Sequence, residues 1–520
     1  METSRTKNLA QSLEENAKSL PNKTSLIYEN RIYSFESLKK LVNKAGNAFL
    51  KLGIRKGDRV IISLLNCPEF VITFYALAKI GAIAVPINYL LTKSEEKYVW
   101  ENSEASLIIT DPYKLAEFRE MTAGRVPILI VPQKEEETEK VLSGALNFWG
   151  QIKKQPNSLS PCPCTPEDVV HILYTSGTTG KPKGAMLTHS SVMYCSSLYT
   201  DNDNMGEIFS EKSRVICALP LYHCYGQNVC LITPLAAGAT VILIERFNTG
   251  KVLQTITEHR ATIFAGVPTM YAYLTNEFDP EKHNLQSLKF CCSAGAALSS
   301  EIAKAFREKT GVEIIEGYGI TEASAQAIAP PFRADKRRHD KFGSIGIPLK
   351  NSKQKTEVKI VDDKGEELPA HKVGELVIKG DHVMKGYWNR PEETAKTIRD
   401  GWLHTGDLAK IDEDGYFYIV DRKKDMIIVG GENVYPKEIE EVLYQNENIL
   451  EAAVVGVVDK VKGEVVKAVV VLKSGHQTTE MELIDFCAQR LAKFKIPKMI
   501  EFKKELPKSA TGKILRRLVK

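Results

Sequence analysis

The strongest constraint on the fold is an alternation of strand-like and helix-like segments through the first half of the chain. Residues 59–65 are apolar and strand-like, 68–79 open on Pro68 as a helix, and 82–87 return to a strand. A charged helix at 92–101 and a further strand at 107–110 follow. The pattern resumes downstream with apolar runs at 215–219, 239–244 and 262–265, separated by helical stretches. Strands that alternate with helices pair in parallel and carry the helices on their faces. The expectation is an α/β fold whose large N-terminal domain holds two doubly wound sheets packed together.

From 343 to 420 the character shifts to short strands and turns, such as 374–379 and 415–420, which predicts a β-rich subdomain. The last hundred residues differ again. Pro436 starts an amphipathic helix with Ile439, Val442 and Leu443 on one face. β-Branched runs at 452–458 and 465–472, a helix over 480–492 and a lysine-rich tail complete a small α+β domain. The charge run Asp421-Arg-Lys-Lys-Asp425 between two apolar strands marks the boundary, giving domains 1–421 and 422–520.

Two domains suit a chain of 520 residues, and 43% hydrophobic with 26% charged residues is globular rather than disordered. Basic and acidic residues number 70 and 65, so a net charge of +5 implies no nucleic-acid surface. The cysteines are scattered; Cys162/Cys164 and Cys291/Cys292 lack second pairs at metal-site spacing, and reduced thiols in a cytoplasmic protein account for them. The N-terminal Met-Glu-Thr-Ser-Arg has no apolar core for a signal peptide. The most apolar region, 60–87, is interrupted by Asn66, Pro68, Glu69 and Lys79, which argues against a transmembrane segment. Weak membrane contact and a homodimer stay open.

Chemistry concentrates first in Tyr174-Thr-Ser-Gly-Thr-Thr-Gly-Lys-Pro-Lys-Gly184, which leaves an apolar run at 169–173. Such a loop turns backbone N–H groups toward a phosphate chain, and Thr175, Ser176, Thr178, Thr179, Lys181 and Lys183 add hydroxyls and charge around Gly177 and Gly180. A plain surface loop is the alternative, disfavoured by the density of donors. A Walker A loop is excluded, because its glycines stand further apart and a Ser or Thr follows its lysine, whereas Pro182 follows Lys181 here.

Three further segments follow in order. In Gly317-Tyr-Gly-Ile-Thr-Glu322, Gly317 and Gly319 permit close backbone approach, Tyr318 offers a flat face and Glu322 a metal-binding carboxylate. Thr405-Gly-Asp407 with Asp421-Arg422 supplies a carboxylate for two ribose hydroxyls, although an Asp after Gly is more often a turn residue. Pro507-Lys-Ser-Ala-Thr-Gly-Lys513 places a lysine beside apolar Ile514 and Leu515, where the backbone is expected to be ordered.

Together these motifs resemble the adenylate-forming superfamily of acyl- and aryl-CoA ligases, luciferases and peptide-synthetase adenylation domains, in family order from about Tyr28 to the end. The resemblance implies ATP, Mg²⁺ and coenzyme A as cofactors and a small-molecule carboxylic acid as substrate. It implies that the 175–184 loop holds the β- and γ-phosphates, that Tyr318 stacks on adenine beside a wall of Ser293, Gly295 and Ala296, and that Asp407 and Arg422 hold the ribose. Thr321 would meet the α-phosphate, Glu322 and Thr175 the Mg²⁺, and Lys513 the carboxylate and α-phosphate when a mobile small domain closes. Lys424 would be the hinge, and Gly430-Gly431 would face the pantetheine tunnel in the second half-reaction. A hairpin turn is an equal reading of that Gly-Gly pair.

Leu219-Pro-Leu-Tyr-His-Cys-Tyr-Gly226 resembles the acid-pocket segment of acyl- and aryl-CoA ligases, with His223 at the carboxylate and the mouth of the thiol tunnel. Peptide-synthetase domains carry Phe-Asp there, so a simple acid is favoured over an amino acid. The implied walls run over 225–232, 265–269 and 293–297 and include Tyr225, Gly226, Gln227, Val229, Gly266, Ser293 and Gly295; they are mostly apolar apart from Gln227, Asn228, Thr269 and Ser293, and hold no charge for a second carboxylate. An alkyl chain fits, and a phenylpropanoid fits nearly as well. The overall look is closest to bacterial medium- or long-chain fatty acyl-CoA ligases. Rival readings are an aryl-CoA ligase, an acyl-AMP ligase that loads an acyl carrier protein, a luciferase-like oxygenase and a non-catalytic binding protein. No inserted segment between Glu322 and Thr405 supports the carrier-protein reading, and the chain lacks a Ser-Lys-Leu end.

Overall fold

The computed structural model describes residues 8–132, 144–175, 181–200, 208–332, 338, 340–341, 343–349, 356–459, 462–509 and 511–519. Two large sheets dominate. In one, seven strands run in the order Ile314–Glu316, Phe290–Ser293, Ile263–Gly266, Arg214–Cys217, Thr240–Leu243, Thr24–Tyr28 and Arg31–Ser34. All pairs are parallel except the last, a hairpin. The eight-stranded sheet is parallel from Val169–Thr175 through Ile83–Pro86 and Arg59–Ser63 to Leu146–Asn147, with Lys183–Thr188 and Gly386–Tyr387 antiparallel at the other edge. The alternation read from the sequence therefore becomes two wound sheets sharing one core.

Helix Pro68–Ile80 shows why they pack. Pro68 at its first turn, a left-handed Gly81 at its end (φ 75°) and burial along its whole length make it an apolar layer within that shared core. Its one cation, Lys79, is buried against Glu14 and Asn43. Among the described residues no helix is long and apolar enough to cross a membrane.

The β-rich subdomain is a five-stranded antiparallel sheet containing Glu357–Val361, Gly374–Lys379, Trp402–Ile411 and Phe417–Arg422. Arg422 closes its last strand, and Ile427 opens the first strand of a separate sheet. That sheet is built on the long hairpin Ile449–Asp459 and Gly463–Leu472 and packs helices Pro436–Tyr444 and Glu480–Ala488 on its own core. The second helix stops short of the expected 492, because Gln489 caps it and Leu491, Phe494 and Ile496 fold onto the core. The lysine-rich tail is also more structured than its charge suggests: Met499–Phe502 pairs in parallel with Gly463–Leu472.

Candidate active site

In the seven-stranded sheet, register brings three strand ends level: Gly266 pairs with Ser293, and Ser293 with Glu316. The segments leaving these ends, together with 219–223 after Arg214–Cys217, gather at the carboxyl edge, where wound sheets hold ligands.

The glycine-rich loop begins at Thr175, the last residue of its strand. Ser176, Gly177, Thr178, Thr179 and Gly180 lie outside the described residues. Beyond them Lys181 sits 5.8 Å over the Tyr98 ring and Lys183 4.6 Å over that of Tyr387. Thr175 donates its hydroxyl to Glu322 Oε1 at 3.4 Å, and the Tyr387 hydroxyl donates to the same oxygen at 2.8 Å. The loop and the Gly317–Glu322 motif therefore meet at one carboxylate. A carboxylate beside a hydroxyl is a hard oxygen donor set that fits Mg²⁺ carried in with phosphates. Among the described residues no group of three or more His, Cys, Asp or Glu could hold a metal alone.

Gly319 of that motif is sterically required, because backbone packs against it. A Cβ on Gly319 would lie 1.5 Å from the Ala325 carbonyl oxygen, and one on Gly317 would lie 2.7 Å from Gln326 Nε2. Between them Tyr318 is buried and donates its hydroxyl to Asp407 Oδ2 at 2.6 Å. Arg422 Nε reaches the other oxygen at 2.9 Å, because the hairpin Trp402–Ile411/Phe417–Arg422 sets Asp407 opposite Arg422. Burial and the Asp407 charge push the Tyr318 phenol well above its usual range, which keeps it a donor. Tyr318, Asp407 and Arg422, expected as separate contacts, are one hydrogen-bonded unit. Gly295 turns with φ +83° just past Ser293, and half-buried Ala296 follows it.

Lys513 comes to this unit from the small domain. Its loop is closed by the Ser509 N–H donating to the Lys513 carbonyl at 2.7 Å. Helix Pro268–Glu277, which starts two residues after Gly266, anchors it twice. Thr269 donates to the Gly512 carbonyl at 2.9 Å, and Tyr273 donates to Glu451 at 2.8 Å, where Lys508 also lies at 2.8 Å. Burial lowers the Lys513 pKa to about 8; Arg422 repels the ammonium further while Asp407 attracts it. The same charge is felt by His223, whose imidazole falls to about 4, chiefly through burial and then through Lys513. His223 also caps the short helix Cys224–Gln227, its Nδ1 accepting from the Tyr225 N–H at 3.2 Å, and Thr321 touches that helix through Cys224 at 3.5 Å.

The acid-side residues line this helix and the level strand ends. A Cβ on Gly226 would lie 2.4 Å from the Pro220 carbonyl oxygen, and one on Gly266 3.0 Å from the Phe264 ring. Tyr225 donates to the Cys292 carbonyl at 3.0 Å, and Val229 is buried one turn on. Gln227 and Ser293 are fully buried.

Three expected residues are not brought here. Lys424 is exposed in the turn after Arg422, and Gly430 and Gly431 form the exposed tip of the hairpin Ile427–Val429/Glu432–Val434, with φ of 61° and 92°. In this arrangement the Lys513 loop, rather than the Gly-Gly turn, approaches the Tyr318–Asp407–Arg422 unit. Other residues of the site escaped the sequence reading, namely Tyr387 on Glu322 and Tyr273 and Glu451 under the lysine loop, while Thr269, expected in the acid-pocket wall, also holds that loop through the Gly512 carbonyl. Lys508 stood inside the tail motif and was the one available signal; the rest are single residues set by tertiary contact.

With the geometry in view, residues 13–388 match the AMP-binding enzyme family and residues 438–513 the AMP-binding enzyme C-terminal domain. A long-chain-fatty-acid–CoA ligase of Bacillus subtilis (strain 168) is 38% identical, over 98% of this chain and 94% of that protein. A feruloyl-CoA synthase of Amycolatopsis sp. is 36% identical, over 96% of each. Among solved structures, an anthranilate CoA ligase in complex with anthranoyl-AMP superposes with a TM-score of 0.89 at 33% identity, covering 99% of this chain and 96% of that one.

Proposed function

The chain belongs to the AMP-binding enzyme family and is an AMP-forming acid–CoA ligase, and we propose that its acid is a fatty acid or a phenylpropanoid activated by the residues gathered around Lys513. The single observation that supports these roles best is the position of Lys513, on a loop held by Thr269 at 2.9 Å through the Gly512 carbonyl and within electrostatic reach of Arg422, Asp407 and His223. The first half-reaction brings two anions together. An oxygen of the acid's carboxylate attacks the α-phosphorus of ATP, a P–O bond forms, and the bond to pyrophosphate breaks. A cation held in a desolvated site at that meeting point stabilises the developing charge. In this reading Tyr318, Asp407 and Arg422 orient the nucleoside, the 175–184 loop holds the leaving phosphates, and Thr321 sits at the α-phosphate. Mg²⁺ bound at Glu322 and Thr175 would supply further charge neutralisation.

In the second half-reaction the thiol sulfur of coenzyme A attacks the acyl carbonyl carbon. The C–O bond to AMP breaks, and the thiol proton passes to solvent. His223 stays neutral at physiological pH and so orients the acyl group without competing for its charge. Lys424 is the proposed hinge that brings Gly430 and Gly431 toward the acyl-adenylate; Lys424→Pro should slow the second half-reaction more than the first, and equal losses would remove the hinge.

Two acid classes are carried forward. The fatty acid rests on the apolar walls and the Bacillus relative, the phenylpropanoid on the feruloyl-CoA synthase. A panel of both classes assayed for pyrophosphate release, with and without coenzyme A, tests the proposal. Acyl-CoA should form from at least one class; CoA thioester from neither would end the reading of both.

A further inference from the structure

At the root of the lysine loop the small domain carries a charge pair of its own. Lys508 and Ile514 pair across that root, and the Leu515 N–H donates to the Pro507 carbonyl at 2.8 Å. Leu506 and Val519 pack with Ala453, Val455 and Val469 in a core of the small domain, with Ile514 against it, so the loop is a fixed part of that domain. Lys508 Nζ lies 2.8 Å from Glu451 Oε1 and 2.9 Å from Oε2, and Glu451 is only 2% exposed. Both partners belong to the small domain, so the pair travels with it as a unit.

To this pair the large domain adds the Tyr273 hydroxyl. It donates to Glu451 Oε1 at 2.8 Å and accepts from Lys508 Nζ at 3.2 Å. Burial, and then Glu451, push the Tyr273 phenol above its usual range, which keeps it a donor. Tyr273 follows Thr269 by four residues, so both stand on one face of helix Pro268–Glu277. Tyr271 ties that helix to the seven-stranded sheet, its hydroxyl 3.0 Å from the Phe264 carbonyl and 2.9 Å from that of Cys292. Gly512 permits the close approach of the two domains: at φ +83° it would place a Cβ 3.3 Å from both Thr269 Oγ1 and Val267 Cγ2. An ion pair made before docking is buried at a smaller desolvation penalty than a lone carboxylate. What docking adds is hydrogen bonds to charged groups, which are stronger than neutral ones. In the proposed rotation about Lys424 the pair leaves Tyr273 behind, and those bonds are lost.

We propose that Tyr273 is a positioning residue for adenylation alone: by engaging the Glu451–Lys508 pair it holds the small domain with Lys513 turned to the acid and α-phosphate, and it lets go before the thioester forms. The inference rests on the ligase reading and assigns a residue that the reading leaves without a role. A contact made in one of two poses shifts their populations by its own free energy. Removing the contact therefore disfavours the pose that adenylates and leaves the other untouched. A residue that merely supported the fold would weaken both half-reactions together.

Tyr273→Phe keeps the ring and removes the hydroxyl. Two rates are measured on the full chain with an acid that the unchanged protein accepts: pyrophosphate release without coenzyme A, and thioester formation from supplied acyl-AMP and coenzyme A. The first should fall about tenfold or more, the scale of losing a hydrogen bond to a charged group, while the second stays at or above the unchanged rate. Added to Glu451→Ala, the same substitution should cost less than about twofold, because its partner is already gone. Equal falls in both half-reactions, unchanged rates in both, or a full tenfold loss in the Glu451→Ala background would each overturn the inference and leave the ligase reading intact. Pyrophosphate release by the unchanged chain from no acid of either class would instead remove the ligase reading and the inference with it.

Discussion

The two sides of the site are built in opposite ways. On the nucleotide side polar groups are already engaged with one another: both oxygens of Asp407 are taken, by Tyr318 and Arg422, and Glu322 accepts from Tyr387 and Thr175. On the acid side the Gln227 amide and the Ser293 hydroxyl are buried with no hydrogen-bond partner among the described residues. Groups that serve the same step in every turnover gain from being fixed in advance, because no reorganisation is then needed as charge develops. Groups that choose a substrate gain from being unsatisfied until it arrives. The contrast separates what the reaction needs from what the substrate needs, and each side can be disturbed without the other.

The largest expected effect lies on the nucleotide side. Lys513→Ala should lower pyrophosphate release by roughly 100- to 1,000-fold, the scale of removing one charge-stabilising group from a desolvated site. It should leave conversion of supplied acyl-AMP to thioester nearly intact; equal losses in both halves would show that Lys513 is not specific to adenylation. The same residue sets a pH limb. Its pKa is lowered to about 8 and the ammonium is the active form. Adenylation kcat/KM should therefore be fully present below that value and lost as pH rises through it, a limb that Lys513→Arg moves to higher pH. His223, lowered to about 4, adds no limb between pH 5 and 8.

A middle-sized effect is expected from Asp407→Asn. Hydrogen bonds to a charged group are worth about 1.5–3 kcal/mol, so the KM for ATP should rise roughly 10- to 100-fold. The preference between a fatty acid and a phenylpropanoid should stay as it was. If that preference moves with the ATP KM, the two sides are coupled and the contrast fails.

The same division explains what the sequence could reveal. Wound sheets were legible because apolar runs alternate with helical stretches, and strand 107–110 was located to the residue, as was the start of helix Pro436–Tyr444. Tyr318, Glu322, Asp407 and Lys513 stood out because they sit in short motifs of the residue types that phosphate and ribose chemistry would use. Their mutual bonds did not, since Tyr318 and Asp407 meet only once the β-rich subdomain docks. Tyr387 looks like an ordinary core aromatic until the fold places it on Glu322. Gln326 follows the Glu322 motif by a few residues, yet the burial of its amide nitrogen with no partner among the described residues is a property of packing. The ordered strand Met499–Phe502 was hidden by the lysines around it.

The smallest expected effect tests how the catalytic loop is held against the acid side. Thr269 donates to the carbonyl of Gly512, the residue before Lys513, from the first turn of a helix that begins just after Gly266. That helix therefore links the acid-pocket wall to the lysine loop. Thr269→Val keeps the side-chain shape and removes the donor. The loss of one neutral hydrogen bond, about 1 kcal/mol, should slow adenylation roughly fivefold and leave the thioester half unchanged. Because the Gly512 carbonyl is released while Lys513 keeps its charge, the fall should appear in kcat more than in the KM for ATP. An equal fall in both half-reactions would mean that Thr269 supports the wall of the pocket and does not position the loop.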